Sequence, residues 1–170
     1  MKKIIFLFMA VTIIMCCCKT TEQPPSSSAA DTAPQASSPV TTTSFNTVTG
    51  SEWKLDEVLI NGRRSAYSRN SINREGFGDA FTLSFNDGTL HGKGAPNTYS
   101  APYTLSEGNT IRIALMRSTL MAAIQEPESL REHDFYNYMQ NSYKWNVVND
   151  KLELYSKIDS GSEIVLIFVK

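Results

Sequence analysis

Cysteine is missing from almost the whole chain. Three stand together at positions 16–18, and none follows in the 170 residues. That excludes a disulfide or a cysteine-held metal in the body of the protein. Histidine is nearly absent, with only His91 and His133. There is no H-E-x-x-H, no G-x-S-x-G and no phosphate loop; the GKG at 92–94 lacks the required spacing. The acidic turns NDG and DSGSE lack the spaced carboxylates of a calcium loop. No catalytic set, metal set or cofactor motif remains, so the chain is expected not to be an enzyme and to need no cofactor. An excess of positive charge is missing too, with 16 basic against 17 acidic residues. A nucleic-acid binder needs a basic surface, so that class is set aside.

A long apolar run is also lacking. The longest, KIIFLFMAVTIIM, is headed by Lys2 and Lys3 and holds roughly a dozen apolar residues, short of the about 20 that span a bilayer. It reads as an export signal. The cysteines close that run, and the stretch resembles a lipobox, with an aliphatic residue three places before the modified cysteine. The resemblance implies diacylglyceryl transfer to the thiol, cleavage before it, and acylation of the new amino group. Cys16 follows the bulky Met15, Cys17 has Ile14 three places back, and Cys18 follows two small cysteines. Lipidation is expected at Cys17 or Cys18. The expected partner is therefore the membrane, through acyl chains at the new N-terminus; two or three chains hold firmly where one does not. Loss of Lys2 and Lys3 with the signal takes the formal charge from −1 to −3, which leaves attachment to the acyl chains rather than to anionic lipid.

The organisation expected is a signal over 1–17, a Ser/Thr/Pro-rich tether over 18–49, and one domain over 50–170. The tether has almost no large apolar residue before Phe45 and cannot offset its ordering entropy by burial. Some 30 such residues reach roughly 30 Å on average.

The domain reads as short strands joined by tight turns. SEWKLDEVLI alternates around Trp53, Leu55 and Val58 before Asn61-Gly62; FTLSF leads through Asn86-Asp87-Gly88 into TLHGKG. TIRIAL, YKWNVV, KLELY and EIVLIFV supply further strands. RRSAYSRNSINREGFGDA is polar and reads as a loop carrying Arg63, Arg64, Arg69 and Arg74. One amphipathic helix is expected over about 127–141, opened by Pro127, with Phe135, Tyr138 and Met139 facing the core. Glu126, Glu128, Glu132 and Asp134 are read as complements to its dipole. The class expected is α+β, an antiparallel meander able to close into a barrel, with this helix packed on it.

GSEWKLDEV, FNDGTLHGKGAPNTYSAPY, RSTLMAA and YKWNVVNDKLELYS, in this order, resemble the META domain, also called the HslJ-like heat-shock domain. Trp53 and Leu55 match its opening; Gly94, Asn97 and Tyr99 its glycine-cysteine-asparagine stretch; Thr119, Met121 and Ala122 its T-x-M-A; Leu152 and Leu154 its final hairpin. Pro96 and Ala123 stand where relatives carry cysteines. If that pair meets in relatives, both being lost together leaves no lone thiol.

The resemblance implies roles in stress or drug tolerance, virulence or motility, without a defined reaction. HGKGAPNTYSAPY is the candidate binding surface, with His91, Lys93, Asn97 and Tyr99 named in it. In the plainer reading, Gly92 and Gly94 permit close backbone approach and Asn97 pairs with backbone. The expectation is a monomeric, lipid-anchored envelope protein, on the periplasmic or surface face of an outer membrane, binding an unidentified protein or small molecule. An adhesin and an inhibitor or chaperone-like module remain as alternatives.

Overall fold

The computed structural model describes residues 44–122 and 125–170, so the signal, Cys17, Cys18 and nearly all of the tether lie outside the described residues. Ten strands and two helices follow one another: β1 (Glu52–Ile60), β2 (Arg63–Ser68), α1 (Arg69–Arg74), β3 (Thr82–Asn86), β4 (Thr89–Lys93), β5 (Thr98–Ser106), β6 (Thr110–Ile113), β7 (Arg117–Ser118), α2 (Glu132–Gln140), β8 (Ser142–Val148), β9 (Lys151–Lys157) and β10 (Glu163–Val169). Every pairing is antiparallel. The order β1-β3-β4-β5-β6-β8-β9-β10 returns to β1, closing an eight-stranded barrel, with β2 and β7 outside that ring.

The hairpin turns follow from their residues. Asn61-Gly62, Asp87-Gly88 and Asn149-Asp150 all hold both central residues at positive φ, as a type I′ turn requires. In β1 the buried residues are Trp53, Leu55 and Val58, a step of two and then of three. The register slips between Leu55 and Glu57 against β10, and between Glu57 and Leu59 against β2. This bulge adds the residue that returns Val58 to the interior.

Eight strands enclose a space that side chains fill. Here Trp53, Leu55, Phe81, Leu83, Phe85, Leu152 and Phe168 fill it, all essentially inaccessible to solvent. One end is plugged by a 3-10 turn, Phe45–Thr47, whose Phe45 ring meets Phe85 at 5.1 Å and Trp145 at 4.8 Å between centroids, both edge to face. Val48 is buried and its carbonyl accepts from Trp53 Nε1 at 2.9 Å. The fold therefore includes residues ahead of Gly50, where composition places the boundary. The other end is covered by α2. β6 and β8 pair only at Thr110 and Lys144, so they splay beyond that point. The helix lies there, with Phe135 5.0 Å from Phe81 and Gln140 Oε1 accepting from Met116 N at 2.8 Å.

Two expectations need correction. The arginine-rich stretch is not a loop: it forms β2 and α1, and Ser68 caps α1 by accepting from Ser71 N. β2 pairs only with the outer half of β1, so its face stays polar and hides the alternation of a strand. Arg69 is structural, donating to the carbonyls of Leu55 at 2.8 Å and Ala80 at 3.1 Å. The main helix begins at Glu132, not Pro127. Pro127 is buried in the irregular approach, so Glu126 and Glu128 precede the helix rather than complement its first turn.

Candidate functional site

Because paired residues on neighbouring strands share a face, the register writes out the barrel's outer surface. One row crosses five strands: Glu52, Ser84, His91, Ser100 and Arg117. The small serines leave a shallow trough of about 570 Å³ between the longer side chains. His91 and Arg117 sit two strands apart, so their backbones are about 10 Å from each other with Ser100 between. Lys93 belongs to the next row and holds Asp79 at 2.8 Å. That hydrogen bond raises the lysine's affinity for its proton and lowers the aspartate's, both at the exposed surface.

The four candidate residues separate. His91 and Lys93 are exposed on the trough. Tyr99 is in its floor, buried, with its hydroxyl already donating to the Thr82 carbonyl at 2.6 Å. Burial, and then the neighbouring Tyr136, push its ionisation well above the usual tyrosine range. Gly92 lies opposite Tyr99, and any Cβ there would collide with the Thr82 carbonyl. Asn97 is buried to one side, and around it lies a knot that the sequence did not reveal.

Its centre is Glu132, the first residue of α2, buried at 8% exposure. One carboxylate oxygen accepts from the backbone N–H of Ala95 at 2.6 Å and of Asn97 at 2.7 Å. The other accepts from Asn97 Nδ2 at 2.7 Å. Tyr136 also reaches the carboxylate, and its ionisation is pushed up by burial first and then by the charge of Glu132. The Asn97 oxygen in turn accepts from Met121 N at 2.7 Å and from the Thr119 hydroxyl at 2.8 Å, while Nδ2 approaches the Met121 carbonyl at 3.3 Å. The carboxamide thus pairs with both backbone groups of Met121, as a further strand residue would. Gly94 is required because a Cβ would strike Glu132 and the Tyr136 hydroxyl. One signal could have found Glu132. It shares a helical stripe with Phe135, Tyr136 and Met139, so spacing alone puts an acid on the core-facing side.

A family model described as the META domain matches residues 46–168. The chain belongs to the META-domain family. No match exists among curated proteins. Among solved structures, this META domain is similar to an NMR structure of a protein from Burkholderia xenovorans, at 17% identity and a TM-score of 0.54, covering 86% of this chain and 99% of the other. It is also similar to the crystal structure of a DUF4847 family protein from Bacteroides vulgatus, at 15% identity and a TM-score of 0.47, covering 72% and 94%. At these identities the first likeness speaks for the fold alone.

Two of the four segments that resemble the META pattern are those Asn97 joins: 94–97 on one side and 119–121 on the other. Pro96 lies in the first, whereas Ala123 lies outside the described residues. A second groove opens beyond that join. It holds about 400 Å³ and runs between residues 118–122 and the start of α2, with Glu126, His133 and Tyr136 along it. His133 is exposed on α2, on a different element from His91.

Proposed function

We propose that this META domain is the non-catalytic binding module of a lipid-anchored cell-envelope protein. The observation that carries the reading is the filled barrel. With Trp53, Phe81, Phe85 and Phe168 occupying the interior, recognition falls to the outer surface. The trough there offers the positively charged Arg117, His91, and the hydroxyls of Ser84 and Ser100, with Glu52 at its far end. That set suits an anionic or hydrogen-bonding group of a partner better than an apolar one.

Anchoring is supported by the cysteine cluster at the end of the apolar run and by the tether that follows it. An envelope-maintenance role under stress is what membership of the family suggests for such a module. Among the described residues no helix is long and apolar enough to cross a membrane. Radiolabelled palmitate should enter the wild-type chain and leave unlabelled a variant with Cys16, Cys17 and Cys18 all changed to Ala. Label retained by that variant refutes the anchor. Turnover of a hydrolase substrate by the purified chain, abolished by His91→Ala, would overturn the non-catalytic part.

A further inference from the structure

We propose that the outer edge of β7, continued to Met121, is a docking site for an extended peptide of a partner protein, taken up as an added strand between that edge and α2. The proposal does not rest on the trough or on lipidation.

Three observations lead to it. First, the edge is open. β7 pairs with β5 alone. Thr119 N donates to Thr98 O, and Met121 is held by Asn97, so the odd-numbered residues turn their backbone groups toward β5. Antiparallel pairing alternates, which turns the N–H and C=O of Ser118 and Leu120 away from it, toward the groove. These groups have the spacing a further strand needs.

Second, the edge is held ready. The side chain of Asn97, itself fixed by Glu132, keeps Met121 in register, so little ordering remains for a ligand to impose. Third, the edge is apolar where solvent alone gives no reason for it. Leu120 is 98% exposed and Met121 59%. Leu115, at 81%, lies just before β7.

The groove narrows the partner's chemistry. Its described lining holds the exposed Glu126, the buried and hydrogen-bonded Glu132, and no lysine or arginine; Arg117 of β7 lines the trough instead. The fitting ligand is an extended segment that alternates apolar and small polar residues and carries a lysine or arginine. A second copy of this acidic chain fits less well.

The test uses the full chain in detergent with two labelled decapeptides. Both alternate valine and threonine; one carries a central lysine and the other a central glutamate. The lysine peptide should bind at least tenfold tighter than the glutamate peptide. On binding it should slow hydrogen exchange at the Ser118 and Leu120 amides. Ser118→Pro removes one edge donor and should weaken binding at least tenfold. Leu120→Ser leaves the backbone intact and should weaken it several-fold, with near-UV circular dichroism unchanged. No binding by either peptide, equal affinity for both, exchange slowed elsewhere, or full affinity retained by Leu120→Ser would each overturn the proposal. So would concentration-dependent self-association that protects the same two amides without peptide.

Discussion

Changing Glu132 to Gln alters one heavy atom, yet it should cost this domain about 3 kcal/mol. The carboxylate accepts three hydrogen bonds in a buried site, two on one oxygen and one on the other. An amide keeps one acceptor oxygen, which can still serve Ala95 and Asn97. Its new NH₂ then faces Asn97 Nδ2, donor against donor. Turning the Asn97 carboxamide over only moves the conflict, because its NH₂ would then face the Met121 N–H and the Thr119 hydroxyl. One donor loses its partner in either arrangement, a buried one as the side chains stand and the part-buried Met121 N–H after the turn, at about 1–3 kcal/mol, and two charge-assisted bonds become neutral ones at about 1 kcal/mol of loss together. Urea unfolding measures the difference.

The decisive variant is double. Asn97→Asp alone sets a second carboxylate against Glu132 and should destabilise by more than about 3 kcal/mol. Combined with Glu132→Gln, the new carboxylate at position 97 accepts from the new amide as well as from Met121 N and Thr119, but loses the donor that faced the Met121 carbonyl. The pair should recover to within about 2 kcal/mol of wild type, well short of the sum of the singles and so a strongly non-additive cycle. A Glu132→Gln protein within about 0.5 kcal/mol of wild type, or a double variant as unstable as the sum of the singles, refutes the knot as drawn.

Two further outcomes follow from groups already described. All seven tyrosines have their ionisation raised, with burial the leading cause in each, and Tyr155 is pushed up to about 12. Because the folded state keeps these protons longer than the unfolded chain, the stability they contribute is complete below pH about 10 and lost as the pH climbs through the raised values. Absorbance at 295 nm should therefore rise late and in step with unfolding; a full tyrosinate signal near pH 10 in a still-folded protein would contradict this. Gly92→Ala drives a Cβ into the Thr82 backbone carbonyl, and Gly94→Ala drives one into the bonded Glu132 carboxylate and the Tyr136 hydroxyl. Calorimetry should show each destabilised by about 3 kcal/mol, and either variant as stable as wild type would tell against that close approach.

The barrel was legible wherever chemistry acts over two or three residues. Asp87-Gly88 announces its turn because few other pairs tolerate positive φ, and the alternation of Phe81, Leu83 and Phe85 announces the strand before it. Ranges failed where burial is one-sided or slight. In β2 only Tyr67 is buried, and in α1 only Ile72, so neither leaves a period to read. Pro127 and the acids around it imitate a helix start, but the chain runs on irregularly to Arg131 before the helix forms. The knot was illegible for a different reason. Two of Glu132's three donors are backbone N–H groups some 35 residues away, and a backbone group has no letter in a sequence. Asn97 was singled out, and its pairing with backbone expected, because it stands among glycines and proline. What it grips could come only from the fold.

The seam between β1 and β10 has a consequence in time. Lys54 pairs with Val169, and Ile60 with Ile164, so the first barrel strand finds one of its neighbours only in β10, the last strand of the ring in chain order. Such distant pairings make closure slow relative to the local hairpins. During synthesis the chain can form turns and short ladders, but one edge of β1 waits until β10 emerges. β10 is the stave that shuts the barrel, and up to that moment the ring stays open along one side of β1.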